Sequence, residues 1–179
     1  MKCSMDKKER AKNAESLPLT SGFKQIDPKQ NNANNIPNKS GICLICLRKQ
    51  AQLPDIGKEV EMEEYDGLRV IYIGISSRLK KRYKDHFKSN NLNNSTLRKS
   101  LMAILPNEKI KDEIALSQWM KDNLLFFYKL KEDPGEDKRD LIKNYNPPLN
   151  LDDNDNPCNK DFRKEVSRRR KIIDELGNH

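Results

Sequence analysis

Three side chains near the middle of the chain have the types and spacing for chemistry on a phosphodiester. Tyr72 ends a short apolar run, Arg82 follows it by ten residues, and His86 follows Arg82 by four. An arginine offers phosphate oxygens a planar, permanently charged fork, and it can meet the extra charge of a pentacovalent transition state. A histidine can move a proton near neutral pH, and a tyrosine hydroxyl can orient or activate water. Arg78, Arg82 and His86 recur every four residues, so on a helix they stand one above another. A solvated basic helix face would show the same row.

The elements that must position these groups follow from periodicity. Val70, Ile71 and Ile73 supply the β-branched side chains of a buried strand. Gly74 marks a turn or a close approach. Ser76 or Ser77 can cap a helix whose Leu79, Tyr83 and Phe87 face the core. Gly41 to Leu47 is the first strong strand. Arg69 to Ile75 returns antiparallel to it after a turn signal at Tyr65, Asp66 and Gly67. Leu124 to Leu130 is a third strand. Between them the pattern predicts a helix capped by Ser95 and Thr96. A further helix is predicted over 107–122, with Ile110, Ile114, Leu116, Trp119 and Met120 inward. Lys138 to Tyr145 is a helix that Pro147 and Pro148 end, and residues 160–176 form the last one. The expected fold is α+β, a small three-stranded antiparallel sheet flanked by helices. Residues 1–39 read as a flexible, polar and basic tail, 40–151 as the domain, and 152–179 as an acidic loop followed by a basic C-terminal helix. Asp152, Asp153 and Asp155 lack the glycine and closing glutamate of a calcium loop, so a solvated loop is expected.

Net charge is +8 over 179 residues, with 35% hydrophobic residues and a mean hydropathy of −0.95. From Arg69 to Ile104 there are nine Lys and Arg against one Asp, so the positive field is concentrated there. Such a patch is the electrostatic footprint of a nucleic-acid-binding protein. No apolar run is long enough for a membrane span, and the N-terminus has no apolar signal region. The four cysteines do not suggest a disulfide framework, and a cytoplasmic location is expected. Cys43 and Cys46 make one C-x-x-C, but strand residues three apart face opposite sides, so two small buried hydrophobes are expected rather than a metal half-site.

Taken together these pieces resemble the GIY-YIG nucleases, in their restriction-enzyme-like branch. Gly41, Ile42 and Cys43 stand in the GIY place, and Tyr72, Ile73 and Gly74 form YIG. Arg82 and His86 keep the family spacing. The segment from Ser95 to Leu101, the Trp119-Met120 pair, and Asn146-Pro-Pro-Leu-Asn150 match later elements. The resemblance implies an endonuclease that hydrolyses DNA with a divalent metal, usually Mg2+, RNA being open as an alternative. It implies catalytic positions at Tyr72, Arg82, His86 and Cys43, and nucleic-acid contacts at Arg78, Lys81, Arg98, Lys99 and Asn150. Two positions depart from the pattern. Cys43 replaces the GIY tyrosine, and a thiol cannot place an oxygen where a phenol does. Lys138 stands where the metal-binding glutamate is expected, which leaves Glu136 or Asp137 to reach in from the preceding turn.

Three functional readings follow: an active endonuclease, a degenerate GIY-YIG domain that binds nucleic acid without cutting, or a protein-interaction module using the acidic 59–64 segment and the last helix.

Overall fold

The structure is a computed structural model and describes residues 18–30, 33–89, 91–106 and 110–176. Its centre is β2 (Gly41–Leu47), whose seven residues are all buried. On one side β2 pairs antiparallel with β4 (Leu68–Ser76), and on the other with β5 (Leu124–Leu130). These are the three strands that the sequence predicts. The sheet nevertheless has five strands, because β1 (Lys24–Ile26) adds to β5 and β3 (Glu64–Tyr65) adds to β4. Runs of two or three residues are too short to leave a periodic pattern.

The β1 strand also corrects the expectation of a tail over its described part. Ile26, Ala33 and Ile36 are buried. Burying each isoleucine is worth about 1.5–3 kcal/mol. Asp27 is ion-paired with Arg48, which follows β2 directly. That guanidinium also holds the Asp27 carboxyl below the usual range. The first seventeen residues of the proposed tail lie outside the described residues.

Alternation along β2 divides the core. Cys43, Ile45 and Leu47 face one layer, while Ile42, Leu44 and Cys46 face the other. Cys43 and Cys46 are buried free thiols on opposite faces, as the strand reading required. Cys158 is buried as well. The Cys43 layer is filled by α1 (Leu79–Phe87), α2 (Thr96–Ile104), α3 (Glu113–Asn123) and α5 (Lys160–Leu176). The other face is covered by α4 (Gly135–Tyr145) through Leu141, Ile142 and Tyr145. Phe162 and Val166 of α5 are buried in the main core, so residues 152–176 continue the domain rather than append to it. Trp119 is half-buried against the core, whereas Ile114, expected inward, is 68% exposed. The α3 helix starts at Glu113, capped by the Asp112 carboxylate on the Ala115 amide, and this start sets its inward face. Among the described residues no helix is long and apolar enough to cross a membrane.

Two irregularities in β4 prepare the site. The pairing with β2 shifts between Ile45 and Cys46: Ile45 opposes Tyr72 and Cys46 opposes Val70, which leaves Ile71 as the extra residue of a bulge. Beyond a bulge the alternation is reset. Tyr72 therefore joins Cys43 and Ile45 on the helix-rich side, and Ile73 falls on the other. The second irregularity concerns the edge of β4, which β3 pairs only as far as Arg69. The segment after α4 closes it. The Leu149 amide donates to the Ile71 carbonyl, and the Asn150 side chain both accepts from the Ile73 amide and donates to its carbonyl, each at 2.8 Å. Asn146 makes the turn into this segment by ending α4 in the left-handed conformation, φ 41°, which asparagine tolerates better than most residues.

Asn150→Ala strands a buried amide and a buried carbonyl. It should lower unfolding stability by roughly 2–6 kcal/mol, at about 1–3 kcal/mol per orphaned group, as read from urea denaturation. An unchanged midpoint would show that the edge is sealed by other means.

Candidate active site

A cleft of about 320 Å³ lies along the sealed edge of β4. Tyr72, Gly74 and Ile75 form its floor, Arg82 of α1 and Thr96 of α2 one wall, and residues 149–153 another. Lys138 of α4 and Arg170 of α5 enter from the remaining sides. The phenol and the guanidinium singled out by spacing are thus brought into one cleft.

Tyr72 reaches this position because Gly74 has no side chain to meet its ring. A Cβ there would sit 3.0 Å from the Tyr72 ring and 3.2 Å from the Cys43 sulfur. The Tyr72 hydroxyl lies 3.2 Å from the Thr96 hydroxyl. Burial pushes the phenol above its usual pKa, partly offset by the Thr96 hydrogen bond and by Arg82, while Cys43 and Asp152 push it further up. Tyr72 is therefore a neutral hydroxyl at physiological pH, able to donate to a phosphate oxygen. Arg82 leans on the cleft from the flank of α1, one turn from the buried Leu79 and His86.

Cys43 does not take the place of a tyrosine oxygen. It is fully buried beneath Gly74, and burial holds its thiol at about 12, so it is neither nucleophile nor base at neutral pH. His86 is also fully buried. Its Nδ1 is 2.7 Å from the Ser95 hydroxyl, and its ring stands edge-on to Tyr72 at 5.8 Å between centroids. Burial, together with Arg82 and Arg98, drives its pKa down to about 3. A neutral imidazole walled off from water does not exchange protons with a substrate in the cleft. Its position backs the Tyr72 ring instead.

The expected nucleic-acid contacts divide in the same way. Arg98 is fully buried and bonds the His86 carbonyl, the Ser117 hydroxyl, and the Glu113 carbonyl and carboxylate, so it ties three helices together and is closed to a ligand. Asn150 borders the cleft, but its amide is committed to Ile73. Lys81 is paired with Asp85 one turn on, and Lys99 with Asp174 of α5. Arg78 is exposed at the start of α1, outside the cleft wall.

The metal positions are displaced as well. Glu136 is 89% exposed and pairs with Arg139, while Asp137 pairs with Lys131. Both sit in the first turn of α4, where the helix dipole favours acids. Neither lines the cleft. The carboxylates that do are Asp152 and Asp153, from the loop expected to be merely solvated. Asp153 is taken up in an ion pair with Lys138, Nζ to Oδ2 3.0 Å. Among the described residues no three His, Cys, Asp or Glu side chains are grouped as a metal site. With an ammonium at the place of the expected carboxylate, the residues present do not fit a divalent cation such as Mg2+. In the sequence Lys138 stands out only as the residue at the expected glutamate position, and Asp152 and Asp153 only as a solvated loop. Arg170 is signalled only by the basic character of the last helix.

The curled antiparallel sheet, the helix that carries an arginine beside the strand tyrosine, and the asparagine that seals the strand edge define a nuclease-type domain. The family model for the GIY-YIG catalytic domain matches residues 41–172, and the chain belongs to that family. No curated protein and no solved structure matches it.

The buried His86 makes stability depend on pH. Its folded pKa lies below the unfolded value of about 6.5, so the unfolded chain binds the extra proton and stability falls as pH drops from about 6.5 towards about 3. The loss is on the order of 5 kcal/mol across that window. His86→Gln should flatten this part of the stability curve in acid denaturation. An equally steep curve in the variant would assign the acid sensitivity to other groups.

Proposed function

We propose that this chain engages nucleic acid, DNA in the first instance, and grips one phosphodiester in the cleft beside β4. The observation that carries this reading is the convergence of the Tyr72 hydroxyl with Arg82, Lys138 and Arg170 on one cleft. The hydroxyl can donate to one non-bridging oxygen while the guanidiniums and the ammonium neutralise the group. The chain's net charge of +8 supplies the long-range attraction. The protein-interaction alternative draws on the acidic 59–64 segment, which lies apart from this cleft.

Cutting the strand is a second reading. It is favoured by membership of a nuclease family and by a neutral hydroxyl next to the arginine. Against family-type hydrolysis stand the sealed Cys43 thiol and the Lys138 ammonium. The degenerate, binding-only form of the domain is therefore the better fit.

A labelled duplex, its RNA counterpart and the purified chain distinguish these readings. Binding should weaken steeply with added salt. Arg82→Ala should lower affinity by roughly tenfold or more, equivalent to about 1.5–3 kcal/mol for a charged hydrogen bond, and reduce the salt slope by about 1. Salt-insensitive or absent binding by the folded chain would overturn the reading. A parallel plasmid assay with MgCl2 measures cutting. Nicked circles that disappear in Arg82→Ala would promote the endonuclease reading over the binding-only one.

A further inference from the structure

We propose that the Lys138 ammonium supplies the positive charge that a divalent cation would otherwise bring to this cleft. The phosphodiester is then held by protein cations alone, and Asp153 is the counter-ion it displaces. This deepens the nucleic-acid reading above and rests on it.

The geometry supports each part. Lys138 lies in the first turns of α4, with its side chain 22% exposed and directed into the cleft. Its partner Asp153 is 63% exposed, on a loop residue with φ 60°. An ion pair this open to solvent shifts an equilibrium by less than about fivefold, so a stronger anion can replace the carboxylate. A phosphodiester carries the same single charge and offers two non-bridging oxygens. Lysine suits the exchange because its ammonium is a compact point charge with three donors on a flexible stem. With the pair closed, Arg82, Lys138 and Arg170 face Asp152 and Asp153, which leaves one net positive charge on the cleft wall. When Asp153 swings out, a second charge becomes available to the ligand. A metal ion placed there would meet repulsion from Lys138 and from both guanidiniums.

The inference separates this chain from a metal-loaded site by an observable that does not require turnover. Fluorescence anisotropy of a labelled DNA duplex at low salt, with the full chain, should give the same affinity within about twofold in EDTA and in MgCl2 at matched ionic strength. Lys138→Met should weaken binding in EDTA by about tenfold or more and lower the salt slope by about 1. Asp153→Asn should tighten binding severalfold, because the competing carboxylate is gone. Lys138→Glu should bind poorly in EDTA and recover on adding MgCl2. Lys138→Arg keeps the charge and should stay close to wild type, which separates loss of the cation from loss of fold.

Binding by wild type only in the presence of MgCl2 would overturn the substitution of ammonium for metal while leaving the nucleic-acid reading intact. Unchanged affinity in Lys138→Met would do the same. Unchanged or weaker binding by Asp153→Asn would overturn the displacement of Asp153. No binding by the folded wild type at any salt or metal concentration would bring down both readings together.

Discussion

The Asn150 side chain bonds both polar groups of the Ile73 backbone, and the arrangement of the cleft depends on that double bond. A strand edge left open in a core must find partners for its amides and carbonyls, because each unpaired group costs about twice the net gain from a good hydrogen bond. Here a side-chain amide imitates a neighbouring strand. It brings residues 149–153 against β4 and so fixes one wall of the site. The arrangement also accounts for the Pro147-Pro148 step and the left-handed Asn146. Together they end α4 abruptly and turn the chain back onto the sheet.

A second, largely buried polar cluster lies beneath the opposite wall, with Glu113 at its partly exposed end. His86, Ser95, Arg98, Ser117 and Glu113 bond one another across α1, α2 and α3. Burying a guanidinium is unfavourable unless its charge and hydrogens are met, and Glu113 with two carbonyls meets most of that need. The consequence is rigidity where the cleft requires it. Thr96 and the aromatic ring behind Tyr72 are anchored on groups that water does not reach. The chemistry suggested by residue types alone, an imidazole trading protons and an arginine on phosphate, is thus replaced at two positions by support.

Much of this was legible in the chain itself. The three long strands are dominated by apolar and β-branched residues, and their limits fall within a residue of the observed ones. The Leu79, Tyr83 and Phe87 stripe declared the buried face of α1. The order of GIY-like, YIG and asparagine motifs pointed to the family, and the Tyr72 and Arg82 spacing survived into one cleft. What stayed hidden depended on contacts distant in sequence. Counting charges between residues 69 and 104 could not tell Arg98, closed off by Glu113, from Arg82, which is open. The short β1 and β3 strands exist only because long strands offer them an edge. The Lys138 and Asp153 pair spans a helix and a turn, and neither residue advertises the other.

The Ile71 bulge has a consequence for how such sites can change. Because Ile71 is the surplus residue, deleting its codon would remove the bulge while leaving Val70 opposite Cys46 and Tyr72 opposite Ile45, so the phenol would keep its face. The spacing from the start of β4 to the tyrosine is therefore free to change by one residue, whereas the spacing from Tyr72 to Arg82 is not, because both must reach the same cleft.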